Sequence, residues 1–298
     1  MLLPVMFIAL AALDSLGGVT SRIVVAPRET LTVVSQGAGP PIVLVHGLVG
    51  SAWAWRHVVA GLNLRGYRTI IIEPLGTGRS SRPDQADYSL TAQADRIASA
   101  MDALGERHAI VVAHGLAGSM ALRLAVRRPD LVAGVVSLEG GPAERAASNG
   151  FRRAMRYAPW VKFLGGVRLV RGQMVKSLRK SSGNPSWITD EAIEEYTAGA
   201  EADLDGTLKA YLRIAKATEP EQLVPRLPEI QCPVLLVVGM AEHEGMVGEK
   251  EVRQLTGSVT RFDRLVVAGA GHYLHEETPD LVVQAIHSMA GVALAVNR

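Results

Sequence analysis

The apolar positions of this chain follow two rhythms, and the order in which they alternate predicts an architecture. Short runs rich in β-branched residues at 42–45, 109–113, 135–138, 233–239 and 265–268 have the length and composition of buried strands. Between them lie stretches such as 116–127, where apolar residues recur at helical spacing. From Ile42 to Glu139 strands and helices alternate at βα spacing, which predicts right-handed crossovers and a mostly parallel sheet. That alternation stops after Gly141. Residues 142–226 read as helix throughout, with segments expected at 151–164, 167–178, 190–200 and 204–217, broken by Gly165-Gly166 and by the Ser/Gly/Pro stretch 181–185. Pro225, Pro228 and Pro233 then return the chain to strand. The pattern therefore predicts an α/β core over 21–141 and 228–298, interrupted by a helical insertion over 142–227.

The first twenty residues stand apart. Residues 2–13 are continuously apolar, too short a run to span a membrane and about right for the core of a secretory signal, although no basic residue precedes it. Export to a periplasmic or external compartment is the expectation, with a short membrane anchor or a misplaced start as alternatives; without a signal the chain would be cytoplasmic. A single cysteine, Cys232, excludes an internal disulfide framework, and its place before a buried strand marks it as a packed thiol.

With 298 residues, 48% apolar and 20% charged, the chain has material for one large core, and no internal repeat is visible. A net charge of +2 gives no support to nucleic-acid binding, and no nucleic-acid motif is present. Basic residues concentrate in the first half of the insertion: Arg145, Arg152, Arg153, Arg156, Lys162, Arg168, Arg171, Lys176, Arg179 and Lys180 alternate with Phe151, Trp160, Phe163 and Leu164. The preferred reading is a solvated helical face; the alternative is a surface for anionic lipid or an anionic substrate.

The chemistry is concentrated at turns. Ala113-His114-Gly115-Leu116-Ala117-Gly118 joins a strand to a helix through a tight turn, with small residues two before and two after its apex, Gly115. Residues 42–45 run into His46-Gly47, Glu73 opens the glycine-rich loop 73–80, Glu242 lies three residues past the glycine that ends 233–239, and the last strand runs into Gly269-Ala270-Gly271-His272. Taken in this order, from about Arg22 to the C-terminus, the motifs resemble the α/β-hydrolase superfamily, in its capped esterase, lactonase and carbon–carbon hydrolase branches.

The resemblance implies a mostly parallel eight-stranded sheet with a helical cap. It further implies His272 as catalytic base, Glu242 as the carboxylate behind it, and an oxyanion hole from the N–H groups of Leu48 and Leu116, with His46, Gly47 and His114 shaping the substrate pocket. Glu244 and Glu139 compete with Glu242 for the acid position. The loop that begins at Glu73 is expected to be mainly structural.

At Gly115 the chain departs from the family, which carries serine at this apex, or aspartate in the epoxide and haloalkane branches. Glycine adopts the strained elbow conformation at little cost, so the scaffold should survive while the attacking oxygen is lost. Reading Ser119 as nucleophile would put it a turn into the helix. Several functions stay open: water-activated hydrolysis of a small ester-like or lactone-like substrate by His272, a catalytically inactive protein holding a small apolar ligand under the cap, proton abstraction by His272 in a lyase or isomerase, or ordinary serine chemistry if the glycine is engineered. No cofactor is expected, since neither a dinucleotide nor a phosphate-binding loop occurs. No metal is expected either, because a closing Gly-His turn accounts for His272 in the sequence His272-x-x-His275-Glu276.

Overall fold

The computed structural model describes residues 7–13, 17–161 and 164–296; of the segment read as a signal, 1–6 and 14–16 lie outside the described residues, as do Lys162 and Phe163 of the basic stretch. A mixed sheet runs in the order β1-β2-β3-β5-β4-β6-β7-β8-β9. Its strands are β1 (Phe7–Leu13), β2 (Val19–Ala26), β3 (Glu29–Gln36), β4 (Pro41–Val45), β5 (Arg68–Ile72), β6 (Ala109–His114), β7 (Val132–Leu138), β8 (Val234–Gly239) and β9 (Phe262–Val267). Strands β2 to β9 are the eight expected, and β1 adds an antiparallel edge strand beside β2. From β5 across β4, β6, β7 and β8 to β9 every pairing is parallel.

Both faces of the parallel strands are covered, which is why they read as continuous apolar runs rather than alternating ones. Val43, Val45, Val111 and Ala113 point to one side and pack on α2 (Leu90–Leu104) and α3 (Ala117–Arg127). Ile42, Leu44, Ile110 and Val112 point to the other, where α1 (Arg56–Leu64) and the C-terminal helix α9 (Pro279–Val296) lie.

Between β7 and β8 the chain is helical: α4 (Asn149–Ala154), α5 (Ala158–Val161), α6 (Val167–Ser181), α7 (Asp190–Ala202) and α8 (Leu204–Lys216). The helix expected over 151–164 is broken into α4, a 3-10 turn at Met155–Tyr157 and α5. Pro159 explains the break: it has no N–H to donate, and its ring would clash with the carbonyl of Met155 in a continuous helix. The arginines of α4 are exposed, and so are Tyr157, Trp160 and Leu164. No helix among the described residues is long and apolar enough to cross a membrane. Cys232 is buried, and burial pushes its thiol up to about 11, which keeps it protonated and unreactive.

One buried cation ties insertion to core. Arg123 on α3 donates to Thr91 Oγ1 (3.2 Å), to the carbonyls of Glu221 (3.2 Å) and Ala143 (3.3 Å) and to Glu144 (3.1 Å), and it lies 3.6 Å from the Glu219 carboxylate. Glu219 in turn accepts the N–H groups of Leu90 and Thr91 at the start of α2. Arg123→Met should lower stability by about 3 kcal/mol, because it strands the Glu219 charge in a buried position. Urea unfolding monitored by circular dichroism measures this directly, and a loss below about 1 kcal/mol would mean that solvent reaches Glu219.

Candidate active site

Strand β6 is buried along its whole length and ends at the expected turn. Gly115 takes φ +57° there, and its N–H donates to the carbonyl of Leu138 on β7 (2.8 Å). A Cβ placed on Gly115 would lie 3.4 Å from Nε2 of His272. The apex therefore faces the imidazole at a distance that a one-carbon hydroxyl side chain would bridge. Ser119 is elsewhere: it is buried in α3 and donates to the carbonyl of Ala143 (2.8 Å).

His272 sits on the turn after β9, and its backbone N–H donates to the carbonyl of Ser181 at the end of α6 (2.7 Å). Nearby the N–H of Glu244 reaches the carbonyl of Lys180 (3.4 Å), and one oxygen of Glu277 accepts from both Asn184 (2.8 Å) and Gly271 (3.0 Å). The imidazole is held well below its ordinary pKa, first by burial and then by the neighbouring rings of His114 and His243, so it is neutral near pH 7. His114 is buried against it, ring centroids 4.6 Å apart, and its Nε2 contacts the carbonyl of His272 (3.0 Å). Burial likewise holds His114 neutral.

The acid position needs correction. Glu242 is exposed, and among the described residues no hydrogen bond or ion pair joins it to His272. Glu244 is exposed too and pairs with Lys180 (3.3 Å). The carboxylate behind the imidazole is Glu139, which follows β7: one of its oxygens lies within 4.8 Å of a ring nitrogen of His272 and of one of His243. Spacing along the chain favoured Glu242, but the turn after β8 carries that side chain outward while β7, next to β6 in the sheet, brings Glu139 under the elbow.

Glu139 has φ +51°, uncommon for a residue with a side chain. Its oxygens accept from the N–H of Gly239 (2.5 Å) and of Val247 (3.3 Å), and Oε2 lies 3.4 Å from Nε2 of His243. Burial pushes its carboxyl upward, against these hydrogen bonds and the His243 ring. Nδ1 of His272 has no hydrogen-bond partner among the described residues. The carboxylate thus lies near the imidazole without a closed hydrogen bond to it.

Leu48 and Leu116 line a small recess with His46 and Gly47. His46 is buried, with Nδ1 2.7 Å from the carbonyl of Gly47. Glu73 is structural, accepting from the N–H groups of Ala52 (2.8 Å) and Arg79 (2.5 Å), although it also touches the main cavity. His275 packs on Trp55 and Glu276 binds Arg56 (2.8 Å) and Tyr196 (3.0 Å), so neither joins His272.

A cavity of about 880 Å³ opens between insertion and sheet. Trp53, Phe151, Met174, Leu178, Leu208 and Tyr211 make it largely apolar, and His272 and Tyr273 stand in its wall. This size suits a small organic ligand. Of the residues expected at the site, His272 and Glu244 reach this cavity, whereas His114 lies beneath it. His243 and Gly245, on the loop after β8, and Tyr196, on α7, were not singled out by the sequence as site residues; they converge near His272 only in three dimensions.

Comparison with known proteins agrees with the fold. The family described as alpha/beta hydrolase fold matches residues 40–279. A 2-(acetamidomethylene)succinate hydrolase of Mesorhizobium japonicum is 26% identical over 272 residues, covering 89% of this chain and 93% of that protein. Epoxide hydrolase A of Mycobacterium tuberculosis is 23% identical, covering 91% and 97%. Among solved structures, the epoxide hydrolase CorEH superposes with a TM-score of 0.74 at 20% identity, covering 94% of this chain and 99% of that one. A thermophilic esterase from Thermogutta terrifontis gives 0.71 at 22%, covering 97% and 99%.

Proposed function

Because the chain belongs to the α/β-hydrolase fold family, we propose that it hydrolyses a small ester-like or lactone-like substrate without a covalent intermediate, water attacking where the family uses an elbow side chain. The observation that carries this reading is the 3.4 Å between Nε2 of His272 and the position a Cβ would take on Gly115. A neutral imidazole there faces a space that holds no side chain. Nε2 takes a proton from the water as its oxygen bonds to the carbonyl carbon, the N–H groups of Leu48 and Leu116 receive the oxyanion, and the proton passes to the departing alkoxide as the ester bond breaks. Glu139 offsets the charge of the transient imidazolium. Epoxide opening is disfavoured, since that branch attacks with an elbow aspartate.

His272→Ala should reduce turnover of an activated ester and lactone panel by about 100-fold in a folded variant, the contribution of a positioned general base. Turnover that survives the substitution would sink this reading. A second reading, a binder without chemistry, is favoured by the apolar cavity of about 880 Å³ and by the missing hydrogen bond on Nδ1. It predicts binding of an apolar fluorescent ligand with no turnover by either protein.

A further inference from the structure

Behind His272, on the side away from Gly115, three donor atoms converge: Nδ1 of His272, Nε2 of His243 and a carboxylate oxygen of Glu139. We propose that Glu139, His243 and His272 form a binding site for a divalent transition metal of the zinc type, and that its occupancy sets which nitrogen of His272 carries the proton.

The geometry argues for an ion over a hydrogen-bonded pair. Oε2 of Glu139 and Nε2 of His243 stand 3.4 Å apart, long for a charge-assisted hydrogen bond. Two ligands on a tetrahedral ion with bonds of about 2.1 Å lie about 3.4 Å apart. All three donors lie within 4.8 Å of one another, so closing on a metal needs shifts of about 1 Å or less. Both imidazole nitrogens are buried and make no hydrogen bond among the described residues, a costly state for polar atoms unless something else binds them.

Outer contacts are those expected of metal ligands. Nδ1 of His243 lies 2.6 Å from the carbonyl of Ala241, which fixes its proton on Nδ1 and turns the Nε2 lone pair inward. Oε1 of Glu139 accepts from the N–H of Gly239, while Oε2 takes the long N–H contact of Val247 (3.3 Å) and lies on the His243 side with lone-pair capacity to spare. The positive φ of Glu139 is held exactly at this cluster's edge, as strained residues at binding sites commonly are. Gly245 supplies an approach: it is exposed, has φ +93°, and a Cβ on it would crowd Nδ1 of His272 at 3.1 Å. Two histidines and one carboxylate suit zinc and leave a fourth position open, whereas magnesium and calcium prefer all-oxygen sites.

A metal on Nδ1 leaves the proton on Nε2. The face of His272 toward Gly115 would then donate rather than accept, and base catalysis would stop. The site rests on the three donor positions; only this consequence rests on the catalytic reading above.

The test uses full-length protein without a histidine tag, stripped with chelator and titrated with Zn²⁺ by calorimetry and with Co²⁺ by visible absorption. The expected result is one zinc per chain at roughly micromolar affinity or tighter, Co²⁺ bands of a four- or five-coordinate site, and no binding of Mg²⁺. His243→Gln and Glu139→Gln should each weaken zinc at least about tenfold. Should either variant misfold, ¹⁵N resonances of the wild-type imidazoles decide: zinc should shift Nδ1 of His272 and Nε2 of His243. No stoichiometric zinc binding by folded wild type, unchanged affinity in both folded variants, or unshifted resonances would each overturn the site. Zinc binding without loss of esterase activity would keep the site and overturn only the switch.

Discussion

Replacing Gly115 by serine is expected to raise ester turnover by about 1000-fold and to make the protein react stoichiometrically with a fluorophosphonate probe that leaves the wild type unlabelled. The size follows from what a nucleophile and base achieve together and a base alone does not. The elbow already holds φ +57°, the His272 Nε2 already lies 3.4 Å from the Cβ position, and Leu48 and Leu116 line one small recess. A serine hydroxyl would meet a neutral imidazole ready to take its proton. The cost is about 1 kcal/mol of stability, since a side chain must adopt a left-handed backbone that glycine takes freely. Mass spectrometry of the probe adduct locates the label. A folded Gly115→Ser protein that neither labels nor turns over would mean that His272, which has no closed hydrogen bond to Glu139, is out of position for covalent chemistry.

Acidification should unfold the protein well before most carboxylates are protonated. Burial holds His46, His114, His272 and His275 below the ordinary histidine value, with His275 pushed down to about 3. A folded pKa below the unfolded one means that the unfolded chain takes up the proton first. Stability is therefore complete above about pH 6.5 and is lost as pH falls from there toward the folded values. Between pH 6.5 and 4 His275 alone removes about 3 kcal/mol. The other three act in the same direction, against a total of only about 5–15 kcal/mol for a typical domain. Glu139 and Glu276, whose carboxyls burial raises, oppose this, because their contribution is complete below the unfolded value and is lost as pH rises through the folded one. Four histidines outweigh two carboxyls. Denaturant midpoints should fall steeply from pH 6.5 to 4.5, and a flat profile over that range would mean that protonated histidines are accommodated in the folded state.

The fold was legible because its signals are local. Apolar β-branched runs of strand length, a small-residue turn around Gly115 and helical spacing after it each follow from a few adjacent residues, and the structure places β6, α3 and β8 within a residue or so of the expected ends. Position of the insertion followed equally, from the point where strands cease at Gly141. The carboxylate did not, since three glutamates lay within reach along the chain and only the order of strands in space decides which one turns inward. Glu139 did carry a weak signal, a charged residue directly after a buried strand and before two glycines. His243 carried none: its partners, Glu139 and His272, are 104 and 29 residues away. The break at Pro159 was visible in the sequence but was overridden by helical periodicity on either side.

The hydrogen bond from the His272 amide to Ser181 has a mechanical meaning. It makes the last turn of α6 and the base-bearing loop one rigid piece, reinforced by the Glu277 oxygen that grips Asn184 and Gly271 together. Lifting α6 to admit a molecule would drag the imidazole off its aim at Gly115, so entry and reactivity exclude each other along that edge. The amide proton of His272 is therefore a built-in clock, exchanging with deuterium only as often as that corner comes unlatched.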